Sequence, residues 1–379
     1  MKKAIYADNA ATTKLSVEAF NKMKIYMLDD FGNPSQPYSF SRSSKNALKD
    51  ARNTVATCIG AKPEEIFFTS GGSESDNWAI KCFNGNIGKK VIICSCIEHH
   101  AILNACKDEK EKGVQTLFIS VDSNGLVDLN ELENYLKEYQ SNNILVSVMT
   151  ANNEIGTIEP IKNISNLCHR YGALIHTDAV QAVGHIKIDV NELDVDMLSA
   201  SAHKFNGPKG IGFLYIKKGT PIKSFIDGGS QENGRRSGTE NVPAIVGMAA
   251  ALDESISEIN KTVEKLQVME DRFIAKLKEG NIDFIRNGYS NNHLPGLINI
   301  SIKNSSGELI LHRLDLMGYY ISTGSACDGK RNQVSHVIKA IDVDKDYAEG
   351  TIRVSFGKMN DISDAEELAN AIIKIVSPN

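Results

Sequence analysis

Met197-Leu-Ser-Ala-Ser-Ala-His-Lys-Phe-Asn-Gly-Pro-Lys-Gly210 opens as an apolar strand and ends on a lysine before a tight Gly-Pro-Lys-Gly turn. At the end of a buried strand a lysine is desolvated. Its pKa falls, and it becomes suited to Schiff-base formation and then to general-base work. A lysine in a loop is ordinarily just solvated, so Ser201 and His203 immediately before Lys204 give the reading its weight. One strand upstream, Ala173-Leu-Ile-His-Thr-Asp178 also runs apolar and closes on a polar group, followed by Ala-Val-Gln181. A carboxylate there is costly unless it meets a cation or a donor. Asp178 is thus either a helix N-cap or the counter-charge of a bound cation.

Further out, apolar β-rich runs alternate with helical periodicity from about residue 55 to 250. Strands are expected at Ile66–Thr69, Lys90–Cys94, Thr116–Ser120, Ile144–Met149, Ala173–Thr177, Met197–Ala200 and Gly212–Tyr215, with helices such as Asn130–Tyr139 and Ile164–Tyr171 between them. This alternation predicts an α/β fold with a mostly parallel, helix-covered sheet, whose chemistry lies in the segments just past the strands. The pattern changes near residue 253. Ile259, Val263, Leu266, Phe273 and Leu277 stripe a long helix ended by Gly280. Short strands (Ile298–Ile302, Tyr319–Ser322, Thr351–Ser355) and helices (Leu309–Met317, Ala365–Ile375) follow. The expected division is a large domain over 14–255 and a smaller α+β domain from 1–13 and 256–379.

Two more strand-end segments carry chemistry. Thr69-Ser-Gly-Gly-Ser-Glu-Ser-Asp-Asn77 sets paired glycines and hydroxyls at a helix start, which suits a phosphate, although Gly-Ser turns before helices are also common caps. Cys94-Ser-Cys-Ile-Glu-His-His100 admits a metal reading. The two cysteines are also ordinary core residues on one strand face, and a histidine past a strand end can stack on an aromatic cofactor or simply be satisfied in its loop. The order of these features is what discriminates: phosphate turn, histidine, asparagine-rich loop, strand-end acid, then Ser-x-His-Lys. It matches pyridoxal-phosphate (PLP) enzymes of aminotransferase-like fold, where an acid keeps the pyridine nitrogen protonated. No GxGxxG follows a strand, so a dinucleotide fold is not indicated.

The bulk numbers agree with an ordinary globular enzyme. The chain has 379 residues, a formal net charge of −5 and 41% hydrophobic content. An acidic chain has no bulk electrostatic reason to bind nucleic acid, and no apolar run is long enough for a membrane span. Met-Lys-Lys followed by Ala-Ile-Tyr-Ala-Asp lacks the apolar core of an export signal. The seven cysteines (58, 82, 94, 96, 106, 168, 327) have no disulfide rhythm, so a cytoplasmic protein is expected.

End to end, the chain resembles the cysteine desulfurases of the NifS/IscS group, within the class V aminotransferase family. The resemblance runs through Tyr6-Ala-Asp-Asn-Ala-Ala-Thr-Thr13, Gly32-Asn-Pro-Ser35, Thr69–Asn77, Glu98-His99, Asn152-Asn-Glu-Ile-Gly156, His176-Thr-Asp178 with Gln181, Ser201-Ala-His-Lys204, Arg236-Ser-Gly-Thr239, Ser325-Ala-Cys327 and Thr351-Ile-Arg353. It implies Lys204 as the Schiff-base lysine, Asp178 at the pyridine nitrogen and Gln181 at the ring O3′. It further implies His99 stacked on the ring, and Ser73, Ser201 and His203 around the phosphate. Thr239 would reach the phosphate of a second subunit, hence a homodimer. Asn33, Asn153 and Arg353 would bind the carboxylate of L-cysteine. Cys327, in a loop over about Thr323–Val334, would take the sulfur as a persulfide and pass it to an acceptor protein. Acceptors of the iron–sulfur, tRNA-thiolation and DNA-phosphorothioation kinds all stay open. So does a second activity of the same family, selenocysteine lyase or another lyase or aminotransferase. Two departures from the family pattern bear on the acceptor rather than the chemistry. The first is Gln36-Pro-Tyr38 in place of a histidine-bearing stretch. The second is Asp328-Gly-Lys-Arg331 after the cysteine.

Overall fold

The first described strand, β1 (Ile5–Tyr6), leads into helices α1 (Val17–Leu28) and α2 (Arg42–Cys58). Alternation then sets in: β2 (Ile66–Thr69), α3 (Gly72–Cys82), β3 (Lys90–Ser95), α4 (His100–Glu111), β4 (Gln115–Ile119), α5 (Leu129–Tyr139), β5 (Asn143–Ser147), α6 (Ile161–Arg170), β6 (Leu174–Asp178), α7 (Val190–Leu193), β7 (Met197–Ser201) and β8 (Gly212–Ile216). This is a computed structural model that describes residues 4–85, 88–288, 292–323 and 334–377. Local chemistry starts many of the helices. Ser16 and Asn241 each accept one first-turn backbone N–H with the side chain, and Asp128 and Asp189 each accept two, satisfying donors the helix itself leaves orphaned.

The seven strands β2 to β8 form one sheet in the order β2-β8-β7-β6-β5-β3-β4. β8 is antiparallel to both its neighbours, whereas β3, β4, β5, β6 and β7 pair in parallel. Two antiparallel steps leave β2 running with the parallel set, so the loops after β2, β3, β5, β6 and β7 leave the same edge, while the segment after β8 leaves the other. β5 and β7 are buried along almost their whole length, as near-continuous apolar strands covered on both faces should be. Val146, Ile175, Leu198 and Phe213 lie in one apolar cluster on one face of the sheet. Ile92, Leu145, Met197 and Leu214 lie in another with Trp78.

After α8 (Val242–Ser257) and α9 (Ile259–Glu279) come β9 (Phe284–Arg286), β10 (Leu297–Ile302), α10 (Gly307–Met317), β11 (Tyr319–Tyr320), α11 (His336–Ala340), α12 (Lys345–Ala348), β12 (Thr351–Ser355) and α13 (Ile362–Val376). β10 pairs antiparallel with β9 and β12, and β1 lies parallel to β11. A separate apolar cluster serves this part, with Ile5, Leu266, Phe273, Ile300, Val354 and Leu368 among its members. The buried stripe of α9 is Leu266, Met269, Phe273 and Leu277, while Ile259 and Val263 stay half-buried toward its start. The N-terminal segment stitches the two parts together: Ser355 N–H donates to Ala7 O at 2.8 Å and Ala10 N–H to Ser355 Oγ at 2.9 Å.

Candidate active site

A cavity of about 540 Å3 opens along the carboxyl edge of the large sheet. The ends of β2, β6 and β7 deliver Ser73, Asp178, Gln181, Ser201, His203 and Lys204 to its wall; the segments after β3 and β5 bring His99 and Asn153. Arg353, from β12 in the other sheet, closes the far side. Two of the predicted residues are not in this lining. Asn33 accepts from Ser35 N–H at 2.9 Å in a turn of its own, and Thr239 is exposed. Cys327, Lys330 and Arg331 lie outside the described residues.

Lys204 follows directly on β7. Its Nζ donates to the backbone carbonyls of Ala10 at 2.5 Å and Ala11 at 3.0 Å. Gln181 Nε2 donates to the same Ala10 oxygen at 2.9 Å. The Ala10–Ala11 segment, quoted in the sequence only as part of a motif, is therefore a backbone anchor for two of the predicted side chains.

Asp178 is buried at 5% exposure, and one carboxylate oxygen accepts Val180 N–H at 2.9 Å. Burial pushes its carboxyl up to about 6, against the lowering effects of Val180 N–H and Lys204. The bond to Val180 closes a turn, and no helix starts at Asp178, since the next, α7, begins at Val190; the helix-cap reading therefore has no helix to cap. Two further acids crowd this floor that the sequence reading gave no role. Asp76 is buried with Oδ1 lacking a hydrogen-bond partner, and burial, then the charge of Asp178, raise its pKa well above the usual range. Glu98 is fully buried; one oxygen accepts Met149 N–H at 2.8 Å, which ties the end of β3 to the end of β5. Behind Asp178, His176 is bracketed by Ser147 Oγ and Ser199 Oγ, each at 2.9 Å, and burial lowers its pKa to about 3. Helix periodicity could have flagged Asp76, which shares the inner face of α3 with buried Ser75, Ala79 and Ile80.

His99 N-caps α4: its Nδ1 accepts Ala101 N–H at 3.1 Å, which leaves Nε2 to carry the proton of the neutral ring. Burial, Lys204 and His100 together lower its pKa to about 4, so the ring is neutral at pH 7. Cys94 and Cys96 do not act as a pair. β3 ends at Ser95, Cys94 faces Cys106 at 3.6 Å within one apolar cluster, and Cys96 packs against another.

PLP is the expected cofactor, and the lining fits it at both ends. A cationic ring nitrogen would relieve the buried Asp178 carboxylate. At the other end, no side chain caps α3, whose first turn begins at Gly72. Gly71 has φ +150°, which favours glycine, and a Cβ there would fill the space 3.5 Å from Ser201 Oγ. Free helix N–H groups, with the hydroxyls of Ser73 and Ser201 and the His203 ring beside them, would suit a phosphate. His203 Nδ1 lies 3.1 Å from Thr12 Oγ1.

Known proteins share this architecture. Residues 5–368 match the aminotransferase class-V family. The cysteine desulfurase IscS of Dictyoglomus turgidum is 45% identical over 378 residues, spanning 99% of this chain and 95% of that protein. A solved NifS-like protein superposes with a TM-score of 0.91 at 35% identity, covering 99% of both chains. A structure described as SspA in complex with cysteine superposes with a TM-score of 0.80 at 32% identity, covering 93% of this chain and 99% of that one. Given a match over residues 5–368 that takes in every described strand and every cavity-lining segment, the chain belongs to the class V aminotransferases, a family of PLP-dependent enzymes.

Proposed function

We propose that this enzyme is a cysteine desulfurase, converting L-cysteine and the thiol of Cys327 into L-alanine and a Cys327 persulfide. The observation that carries the reading is the convergence of Lys204, Asp178, Gln181, His99 and the glycine turn on one cavity that also holds Arg353, in a chain 45% identical to a protein named as a cysteine desulfurase. When bound, PLP supplies a protonated ring that takes up the electrons released at the substrate Cα.

The residues divide the work. Ser73, Ser201 and His203 hold the phosphate, and Asp178 keeps the ring nitrogen protonated. Gln181 meets the ring oxygen and His99 covers the ring face. Arg353, with Asn153, receives the substrate carboxylate. Lys204 takes the Cα proton and returns one to the product. The Cys327 thiolate attacks the substrate sulfur, the S–S bond forms, and the carbon–sulfur bond breaks. The support for Arg353 is its setting: Nη2 meets Asp8 at 2.8 Å, Nη1 donates to Asn153 O at 2.9 Å, and Nε is buried without a hydrogen-bond partner.

A homodimer belongs to the same reading. Its support is a run of exposed apolar side chains, Val17, Phe20, Met27, Leu28, Phe31 and Phe40, on and after α1, near in sequence to Asn33. The two-domain division at 14–255 rests on the separate apolar clusters of the two sheets. Among the described residues no helix is long and apolar enough to cross a membrane, and a cytoplasmic location with a protein sulfur acceptor completes the proposal. The test is to supply L-cysteine and a thiol reductant and to measure both products. Equal amounts of L-alanine and sulfide are expected, with sulfide lost in Cys327→Ser while the cofactor spectrum still responds to L-cysteine. Alanine absent from the wild type would overturn the reading.

A further inference from the structure

The phosphate cradle carries a carboxylate that its chemistry should not tolerate. Glu74, third residue of α3, lines the same cavity as Gly72 and Ser73, and its side chain is only 9% exposed. An ionised carboxylate favours a helix start, yet at this one it would repel a phosphate bound by the same N–H groups. Its two oxygens are taken up in a particular way. Arg236 Nε donates to Oε1 at 2.8 Å and Nη2 donates to Oε2 at 3.1 Å, while Ser70 N–H donates to Oε2 at 2.7 Å. Burial opposes the charge on Glu74, but the bonds from Arg236 and Ser70 outweigh it and hold the carboxyl below its usual value. Glu74 is therefore ionised and paired.

Arg236 is itself held from outside the cavity. It sits on the segment after β8 in which Glu232 accepts both Arg52 Nη groups at 2.7 Å and Phe68 N–H of β2 at 3.0 Å. Glu232 and Asn233 adopt left-handed backbone, φ 47° and 56°, a strained conformation for non-glycine residues. One ion pair thus binds this segment to α3 and another binds it to Arg52 of α2, while the Phe68 N–H bond ties it to β2, so both elements flanking the glycine turn are held.

We infer that Arg236 is a positioning residue for the cofactor phosphate: by clamping and neutralising Glu74 it turns a repulsive helix start into a neutral one, so that the glycine turn can accept a dianion. The inference rests on the phosphate reading of that turn and adds to it a residue acting only through Glu74. The fixed bidentate geometry is what an arginine supplies and a lysine does not.

The experiment measures dissociation constants of PLP, and separately of inorganic phosphate, for the full-length cofactor-free protein, with circular dichroism to confirm folding. Arg236→Gln leaves Glu74 ionised and unpaired, so both ligands should weaken by roughly tenfold or more, with the loss shrinking at high salt. Glu74→Gln should bind phosphate at least as tightly as the wild type. The double variant Glu74→Gln, Arg236→Gln restores neutrality and should return to within about threefold of the wild type. If Glu74→Gln weakens binding as Arg236→Gln does and the double variant is no better, the pair is only a structural brace and the inference is overturned. An Arg236→Gln variant with unchanged constants overturns it too. Should Arg236→Gln not fold, the phosphate affinity of Glu74→Gln still decides, because weaker binding contradicts the inference. A wild-type protein that binds neither ligand would instead sink the cradle reading itself.

Discussion

On one side of the cavity, Lys204, Asp178 and the glycine turn all come from the carboxyl edge of a single sheet, supported by the apolar clusters on its faces. On the other, Arg353 arrives on a strand of a second sheet with its own apolar cluster, and its guanidinium is already engaged by Asp8 and by the Asn153 carbonyl. The first set depends on local strand register. The second depends on how the N-terminal segment stitches β12 to the large sheet. The two sets therefore rest on different sheets joined by one N-terminal segment, which also anchors Lys204 and Gln181, and substitutions at the side chains themselves should be able to disturb one without the other.

The largest effect is expected on the cofactor side. Lys204→Ala should lower turnover with L-cysteine by about 10³-fold or more, since it removes the group proposed to transfer the proton. The resting absorbance of the bound cofactor should change with it, while the fold survives. Near-normal turnover would break the assignment.

Asp178→Asn should slow Cα deprotonation by roughly 10²-fold or more, measured with Cα-deuterated L-cysteine. It also has a signature in stability. In the cofactor-free protein the Asp178 carboxyl is raised by burial from 3.8 to about 6. Between those values the folded chain holds a proton that the unfolded chain has released, so stability contributed by this group falls as pH rises through the window. Cofactor-free wild type should therefore lose Tm relative to Asp178→Asn between about pH 4 and 6, and loading PLP should close the gap. A gap that is flat with pH would mean that Asp178 is not strained by burial.

Arg353→Lys tests the other side. Losing the bidentate geometry should cost about tenfold or more in kcat/KM for L-cysteine, chiefly in KM, with PLP affinity unchanged. A parallel loss of PLP affinity would show that the two sides are not separable. The smallest effect is expected for His99→Asn. Asparagine is a good N-cap, so thermal stability should be held, while loss of the ring lowers turnover by up to about tenfold. A fall in Tm with normal turnover would return His99 to a purely structural role.

The same contrast describes what the sequence made legible. Local patterns located the strands well: Ile66–Thr69 and Thr351–Ser355 match β2 and β12, and Met197–Ala200 and Gly212–Tyr215 fall one residue short of β7 and β8. Motif order groups Lys204, Asp178 and His99 and the family resemblance adds Arg353, and all four line one cavity. What could not be read were the partners of charged groups. Nothing local in the sequence says that Asp8 meets Arg353, that Arg236 meets Glu74, or that Asp76 and Glu98 are buried beneath the site, because each pairing is made by chain segments brought together only on folding. The cysteine pair failed for a simpler reason. The alternation that would align Cys94 with Cys96 stops where β3 ends, at Ser95.

The antiparallel insertion of β8 also has a consequence in time. Among the described residues β2, which leads into the glycine turn, pairs in the sheet with β8 alone, Thr69 lying opposite Gly212. A chain emerging from the ribosome makes β2 early but must leave it unpaired until Gly212–Ile216 has been synthesised. Contacts between parts so distant in sequence are slow to form, since the intervening loop must be closed first. By then Asp178 and Lys204 have already emerged. The turn proposed to hold the phosphate is thus expected to be among the last pieces of the sheet to set, which on that reading ties cofactor uptake to the completion of the sheet rather than to any partly made chain.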